Sequence, residues 1–254
     1  VSVRCHAPVT RIHVHDGRAC GVTLENGERL EADIVVSNGD PAWTYRYLVD
    51  AAHRRHWSDR KIAHGKYSMS LFVWYFGTNR RYHDVPHHMI MLGPRYRELL
   101  DDIFKHHHLA EDYSLYLHRP SASDPSVAPA DCDAFYVLAP VPHLGSGTDW
   151  SQDAEKFRQS IQRHLENTVL PGLGQHVVTS KLMTPQDFKD RLWSYQGAAF
   201  GLEPILLQSA WFRPHNRSED IDGLYMVGAG THPGAGVPGV LMSAKAMATV
   251  VPNV

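Results

Sequence analysis

Over the first forty residues apolar and polar positions alternate in short runs. Residues 9–14 and 20–24 read as strands separated by His15-Asp16-Gly17-Arg18, and residues 29–32 as a third strand after Glu25-Asn26-Gly27-Glu28. Asp-Gly and Asn-Gly supply the positive φ that tight hairpins require. Residues 33–37, with Ile34-Val35-Val36, are short, apolar and β-branched, as in a buried strand of a parallel sheet. Such a strand has no parallel partner before it, and the first residue is Val1, not Met. The expectation is a portion of a longer chain.

Asp40-Pro41 pairs an N-cap with a proline at N1 and predicts a helix to about residue 56. Residues 67–76 read as a strand in which Met69, Leu71, Val73 and Tyr75 alternate with Ser70, Phe72, Trp74 and Phe76, so both faces should be covered. Residues 94–105 carry Leu99, Leu100, Ile103 and Phe104 at helical spacing. Residues 114–118 and 135–139 read as strands around a Pro/Ser/Asp loop at 120–131. The clearest helix is 151–169, with Ala154, Phe157, Ile161 and Leu165 on one face and Pro171-Gly172 as its stop. Thr184-Pro185 opens another.

Residues 41–220 thus mix helices and strands without regular alternation, which predicts an α+β domain on an antiparallel sheet. The ends, 1–40 and 221–254, have a different, α/β character and are expected to share a second domain.

Of the 254 residues 43% are apolar and 20% charged, enough to bury a core. Twenty-five Lys and Arg against 27 Asp and Glu give a net charge of −2, with no basic excess for nucleic acid. The longest strongly apolar run, residues 71–76, falls far short of the roughly 20 residues a membrane helix needs. Surface attachment stays open. Cys5, Cys20 and Cys132 are few and form no C-x-x-C, so neither a disulfide framework nor structural zinc is expected, and a reducing compartment is. The 18 histidines are scattered; His106-His107-His108 point in different directions on a helix and read as a solvated end. No metal is expected.

The chemistry concentrates near the end. Residues 224–227 read as a short buried strand. Gly228, Gly230, Gly234, Gly236 and Gly239 follow, and Val240, Leu241, Ala244 and Met247 resume helical spacing. A strand, glycine loop and helix in this order bring backbone N–H groups close to an anionic or electron-rich ligand at a helix N-terminus. Tight turns alone would also require glycines. The loop is not a P-loop, since no Gly-Lys-Ser/Thr occurs, nor a first-βα dinucleotide fingerprint with its acidic residue about 20 positions on.

Gly228-Ala-Gly-Thr-His-Pro-Gly-Ala-Gly-Val-Pro-Gly239 resembles the C-terminal flavin signature of bacterial-type phytoene desaturases. The resemblance extends through Gln208-Ser-Ala-Trp-Phe-Arg-Pro-His-Asn-Arg217, Gly93-Pro-Arg-Tyr-Arg-Glu-Leu99 and Phe135-Tyr-Val-Leu-Ala-Pro-Val-Pro-His-Leu144. It implies the C-terminal part of a Rossmann-like FAD-binding domain (1–40 and 221–254) and an antiparallel-sheet substrate domain (41–220). A missing N-terminal half would carry the loop for the FAD pyrophosphate. By resemblance Gly228, Gly230 and Thr231 lie against the ribityl and pyrophosphate, Val237, Pro238 and Gly239 open the helix facing the isoalloxazine, and Val9 gives a backbone contact to adenine. Catalytic residues stay unassigned, because the flavin takes the hydride.

The implied substrates are phytoene and partly desaturated carotenes, delivered at a membrane surface to a cytoplasmic enzyme held peripherally on the inner membrane. On this reading one aromatic face of 67–76 lines a tunnel for a long hydrocarbon; core packing alone fits that pattern too. His232 either tunes charge beside the flavin or shapes the loop. Arg54, Arg55, Arg60 and Lys61, with Trp57, form either a solvated helix face or a patch for anionic lipid.

Overall fold

A computed structural model describes residues 1–252. In chain order the strands are β1 (Val9–His15), β2 (Arg18–Leu24), β3 (Arg29–Glu31), β4 (Val35–Ser37), β5 (Ser70–Thr78), β6 (His88–Met91), β7 (Leu115–His118), β8 (Asp133–Val141), β9 (Val177–Met183) and β10 (Leu224–Met226). The helices are α1 (Pro41–Trp43), α2 (Asp59–His64), α3 (Tyr96–Asp101), α4 (Trp150–Thr168), α5 (Leu173–His176), α6 (Pro185–Leu192) and α7 (Val237–Val250). The chain divides into two compact units, one built from residues 1–68, 192–195 and 200 onward, the other from 69–191 and 196–199.

In the first unit β1, β2 and β3 form an antiparallel meander, and β10 pairs with β4 in parallel, Leu224 opposite Val35. β4 was expected to be buried, but Val36 is exposed, because β10 is its one partner strand among the described residues. The helix opened by Asp40 is short: α1 continues as a π-helical turn over Thr44–Leu48, and Val49 is extended. Asp50 then caps a separate turn by accepting from the Ala52 N–H at 3.0 Å.

The sequence expectation places 41–68 with the middle domain, whereas these residues and 200–220 belong to the first unit. Polar clamps are the reason. Asp220 accepts from the His56 and Trp57 N–H groups at 2.7 and 2.8 Å, and Tyr45 donates to Ser218 Oγ at 2.9 Å while stacking on Trp57. Residues 253–254 of the expected last domain lie outside the described residues.

The second unit is an antiparallel sheet of order β6-β7-β8-β5-β9. On one face Phe72, Trp74 and Phe76 of β5, Leu115 and Leu117 of β7, and Phe135 and Val137 of β8 pack on Phe157, Ile161 and Leu165 of α4. These α4 residues recur at the helical spacing that predicted the helix, and Asp149 caps it by accepting from the Ser151 N–H. Burying several large apolar side chains at roughly 1.5–3 kcal/mol each makes this the main stabilising contact of the unit. The opposite face carries Leu71, Val73, Tyr136 and Leu138, with Phe188 of α6 packed on it. Tyr75 on this face is exposed, so β5 is covered there only in part.

Candidate functional site

The glycine loop lies in the first unit, between β10 and α7. Gly228 has φ +103°; its N–H donates to Ser243 Oγ at 2.8 Å, and a Cβ would stand 2.5 Å from Asn38 Oδ1. Gly230 packs so closely on Pro41 that a Cβ would lie 2.3 Å from the proline Cδ. A Cβ on Gly239 would lie 2.5 Å from the Gly234 carbonyl oxygen. Packing of the loop on residues 38–41 and on itself therefore demands these three glycines whether or not a ligand is bound. Gly236 differs: at φ +95° its Cβ position meets nothing within 4 Å.

Three buried polar side chains hold the loop in place, and sequence reasoning missed them. Asn216 Nδ2 donates to the carbonyls of Met226, His232 and Ser243 at 3.2, 3.1 and 3.3 Å, tying β10, the loop and α7 together. Arg213 donates to the carbonyls of Phe200, Leu202 and Ala229. Ser243 Oγ accepts from Gly228 and donates to the Val240 carbonyl at 2.6 Å. Asn216 and Arg213 fall within the 208–217 segment quoted above, but their residue types announced no role there. Asp40 accepts from the Trp43 N–H at 3.0 Å at the start of α1, and burial pushes its carboxyl up from the ordinary range.

The residues singled out from the sequence divide accordingly. Gly228, Gly230, Thr231, Val237, Pro238 and Gly239 share one continuous loop and helix start. Thr231 is fully buried, and both its hydroxyl and its N–H donate to the Gly228 carbonyl, at 3.0 and 3.3 Å, closing a turn within the loop. Val9 begins β1 opposite Leu24 and is not part of the loop. His232 shapes the loop: its ring Nδ1 bonds the Ala210 carbonyl at 2.9 Å and its N–H donates to the Pro214 carbonyl.

A flavin fits these residues in one respect that is visible directly. The first turn of α7 has neither a side-chain cap nor an acidic residue, and its N-cap, Gly236, opens onto free space. A helix end bare in this way offers backbone N–H donors and the positive end of the helix dipole. The last three glycines, Gly234, Gly236 and Gly239, also have G-x-G-x-x-G spacing, with no acidic residue after them.

In the same unit a cavity of about 480 Å³ is lined by Trp57, Tyr67, Leu202, Trp211, Phe212 and Arg213, among others. The basic cluster beside it is not a uniform patch. Arg54 is buried and donates to Asp59 Oδ1 at 2.8 Å, and Lys61 lies 4.2 Å over the Trp57 ring, whose Nε1 donates to Glu219. Arg55, Arg60 and Lys61 lie exposed without an ion pair among the described residues, and of the three Lys61 is held over Trp57.

In the second unit the open sheet face presents two rows across the strands. One runs Met183, Val73, Leu138, Tyr116, Ile90; the other Lys181, Tyr75, Tyr136, His118, His88. The first is mostly apolar and the second mostly polar. His107 does not join its sequence neighbours; its ring lies 4.7 Å from that of His143.

Residues 1–252 match the family described as flavin containing amine oxidoreductase. The phytoene desaturase (neurosporene-forming) of Rhodobacter capsulatus is 49% identical over 257 residues, which cover 99% of this chain and 49% of that protein. The phytoene desaturase (lycopene-forming) of Pseudescherichia vulneris is 50% identical over 252 residues, covering 98% and 51%. The chain spans about half the length of the curated relatives it matches. Among solved structures, an oxidoreductase from Methanosarcina mazei matches with a TM-score of 0.61 at 16% identity, over 96% of this chain and 49% of that one, a likeness of fold.

Proposed function

Because the chain belongs to the family of flavin-containing amine oxidoreductases, we propose that it supplies the C-terminal half of an FAD-dependent desaturase that converts phytoene towards lycopene. The observation that carries this reading is identity near 50% along almost the whole chain to two phytoene desaturases.

FAD is the cofactor. Bound, it supplies the hydride acceptor for a carbon–hydrogen bond of the polyene. The chain's own residues bind and orient. The bare N-terminus of α7 at Gly236, Val237 and Gly239 would hold the flavin, while Asn216 and Ser243 tie the loop to β10 and α7 and Arg213 bonds its Ala229 carbonyl. The Leu138–Tyr116–Ile90 row offers an apolar track along which a long hydrocarbon is aligned and shielded from water.

The substrate is a water-insoluble hydrocarbon, so on this reading the enzyme takes it from a membrane surface. No helix among the described residues is long and apolar enough to cross a membrane. Leu206, Leu207, Trp211 and Phe212 are exposed, and three of them line the 480 Å³ cavity, so they form the apolar mouth that would dip into lipid.

The test is to incubate the full-length enzyme with FAD and phytoene and to separate the carotenes by chromatography. Neurosporene or lycopene supports the reading. Unchanged phytoene alongside conversion of a shorter or partly desaturated carotene, or isomerisation without desaturation, assigns a related carotenoid oxidoreductase instead. A full-length protein that holds no flavin and converts no carotene rejects the enzyme reading.

A further inference from the structure

Three histidines that are scattered in the sequence meet at one edge of the five-stranded sheet. His88 begins the edge strand β6 and stands opposite His118 at the end of β7. His87 precedes β6, and its carbonyl accepts from the Arg119 N–H at 2.9 Å, which fixes its backbone beside His118. His87 Nε2 and His118 Nε2 are 2.7 Å apart, and one ring nitrogen of each of the three residues lies within 4.8 Å of the others. The rings are nearly parallel, with centroids 4.2 to 5.0 Å apart.

The surroundings suit a Lewis acid better than a shared proton. The other partners of these rings are hydroxyls: Ser123 Oγ 2.5 Å from His87 Nδ1 and Tyr116 Oη 2.6 Å from His88 Nδ1. His118 Nδ1 is buried without a partner. Among the described residues no carboxylate pairs with any of the three, so nothing nearby balances a proton's charge. With Nδ1–H donating to Ser123, His87 presents the Nε2 lone pair towards His118, the outer-shell bond that orients a metal-bound imidazole.

We propose that His87, His88 and His118 form a binding site for a borderline divalent transition metal, Zn2+ foremost, with a fourth position left to water. Imidazole nitrogens suit this class of ion, and three protein ligands with one open position is a known zinc arrangement. Two nitrogens on one tetrahedral zinc stand about 3.3 Å apart, so the His87–His118 pair opens by roughly half an ångström to admit the ion. The ion would pin the edge strand β6 to β7 at the polar end of the open face. This inference does not depend on the desaturase reading.

The experiment titrates Co2+ into the full-length protein and then adds Zn2+ as competitor. One equivalent of Co2+ should give the visible d–d bands of a low-coordinate site, Zn2+ should abolish them, and Zn2+ alone should raise the melting temperature. His87→Ala and His88→Ala should each weaken Co2+ binding at least tenfold, and Ser123→Ala by roughly tenfold or more through loss of the outer-shell bond. His106→Ala and His108→Ala should leave it unchanged. His88 is exposed, so its variant is expected to fold, and circular dichroism verifies that. Absence of the bands and of the Zn2+-dependent melting shift in the wild-type protein, or equal affinity in His88→Ala, overturns the site and leaves a plain imidazole–imidazole hydrogen bond.

Discussion

Gly230 sits against Pro41 so tightly that a Cβ on the glycine would lie 2.3 Å from the proline Cδ. The glycine loop is therefore seated on the start of α1 before any cofactor is considered. Gly230→Val should cost about 1–3 kcal/mol or more through overpacking and lower flavin content as a secondary effect. Gly236→Ala meets open space and bears only the strain of φ +95°, ψ 150°, about 1–3 kcal/mol. If the bare end of α7 cradles the flavin, Gly236→Ala should lose more bound flavin per unit of melting temperature lost than Gly230→Val. Absorbance of bound flavin and thermal melts on the full-length protein make the comparison.

Asn216 closes β10, the loop and α7 with three hydrogen bonds to buried or half-buried carbonyls. Replacing it by Leu, close to it in size, leaves those carbonyls without their donor. The expected loss is about 2–4 kcal/mol, read from urea unfolding. A midpoint unchanged from wild type would show that the clamp carries no stability.

Asp133, buried at the start of β8, accepts from the Tyr82 N–H at 2.7 Å, Ser121 Oγ at 2.7 Å and Arg119 Nη1 at 3.3 Å. Arg119 also donates to the Tyr82 carbonyl. Asp133→Ala strands the Arg119 charge and should cost about 3–5 kcal/mol. An Arg119→Met/Asp133→Leu double variant should cost less than the single one, because no unpaired charge remains. Thermal melts of both decide it.

His143 gives the second unit an acid-sensitive point. Its Nδ1 accepts from the Gly145 N–H at 3.0 Å, so the neutral ring is the bonded form. Burial, with a smaller push from His107, holds its pKa down to about 4, against 6.5 for the ordinary imidazole. Between those values the unfolded chain takes up a proton that the folded chain does not. The stability from the neutral ring is thus complete above pH 6.5 and is lost as the pH falls towards 4. The loss should reach about 2 kcal/mol, allowing for solvent near the ring. His143→Gln should flatten this slope in urea unfolding followed from about pH 7 to about pH 4.

Membrane binding should follow the apolar mouth more than the cations. The full-length enzyme should sediment with anionic liposomes. Leu206→Ser/Trp211→Ser should release it even at low salt. Arg55→Gln/Arg60→Gln should remove only a salt-sensitive part, about 1 kcal/mol for each residue. Arg54→Gln should instead lower stability, since Arg54 is buried on Asp59. An enzyme that stays in the supernatant with phytoene-loaded liposomes yet turns over at full rate would reject docking.

Elements set by local pattern were legible. The spacing of Phe157, Ile161 and Leu165 marked α4, and Asp-Gly at 16–17 marked the first hairpin. The strand–loop–helix order around Gly228–Gly239 was legible as well. What escaped depends on pairing between distant segments. His88 and His118 become neighbours only through the β6–β7 register, and Asn216 becomes a clamp only once β10 and α7 lie beside it. The extent of α1 was misjudged because Asp50 caps a new turn that periodicity does not signal. The close packing of Gly230 on Pro41 was invisible for the same reason: a glycine's lack of a side chain does not say what fills the space.

The parallel pairing of β4 with β10 joins residues 35–37 to residues 224–226, and the whole second unit is threaded between them. During synthesis the ribosome therefore releases β4 long before β10 exists, and about 190 further residues emerge before the two can pair. The five-stranded sheet, whose segments lie between the two, can condense on α4 in that interval. Pairing at such separation raises contact order and slows closure, so the first unit should finish last. A ribosome stalled before residue 224 would hold a folded insert on a frame in which β4 still lacks β10.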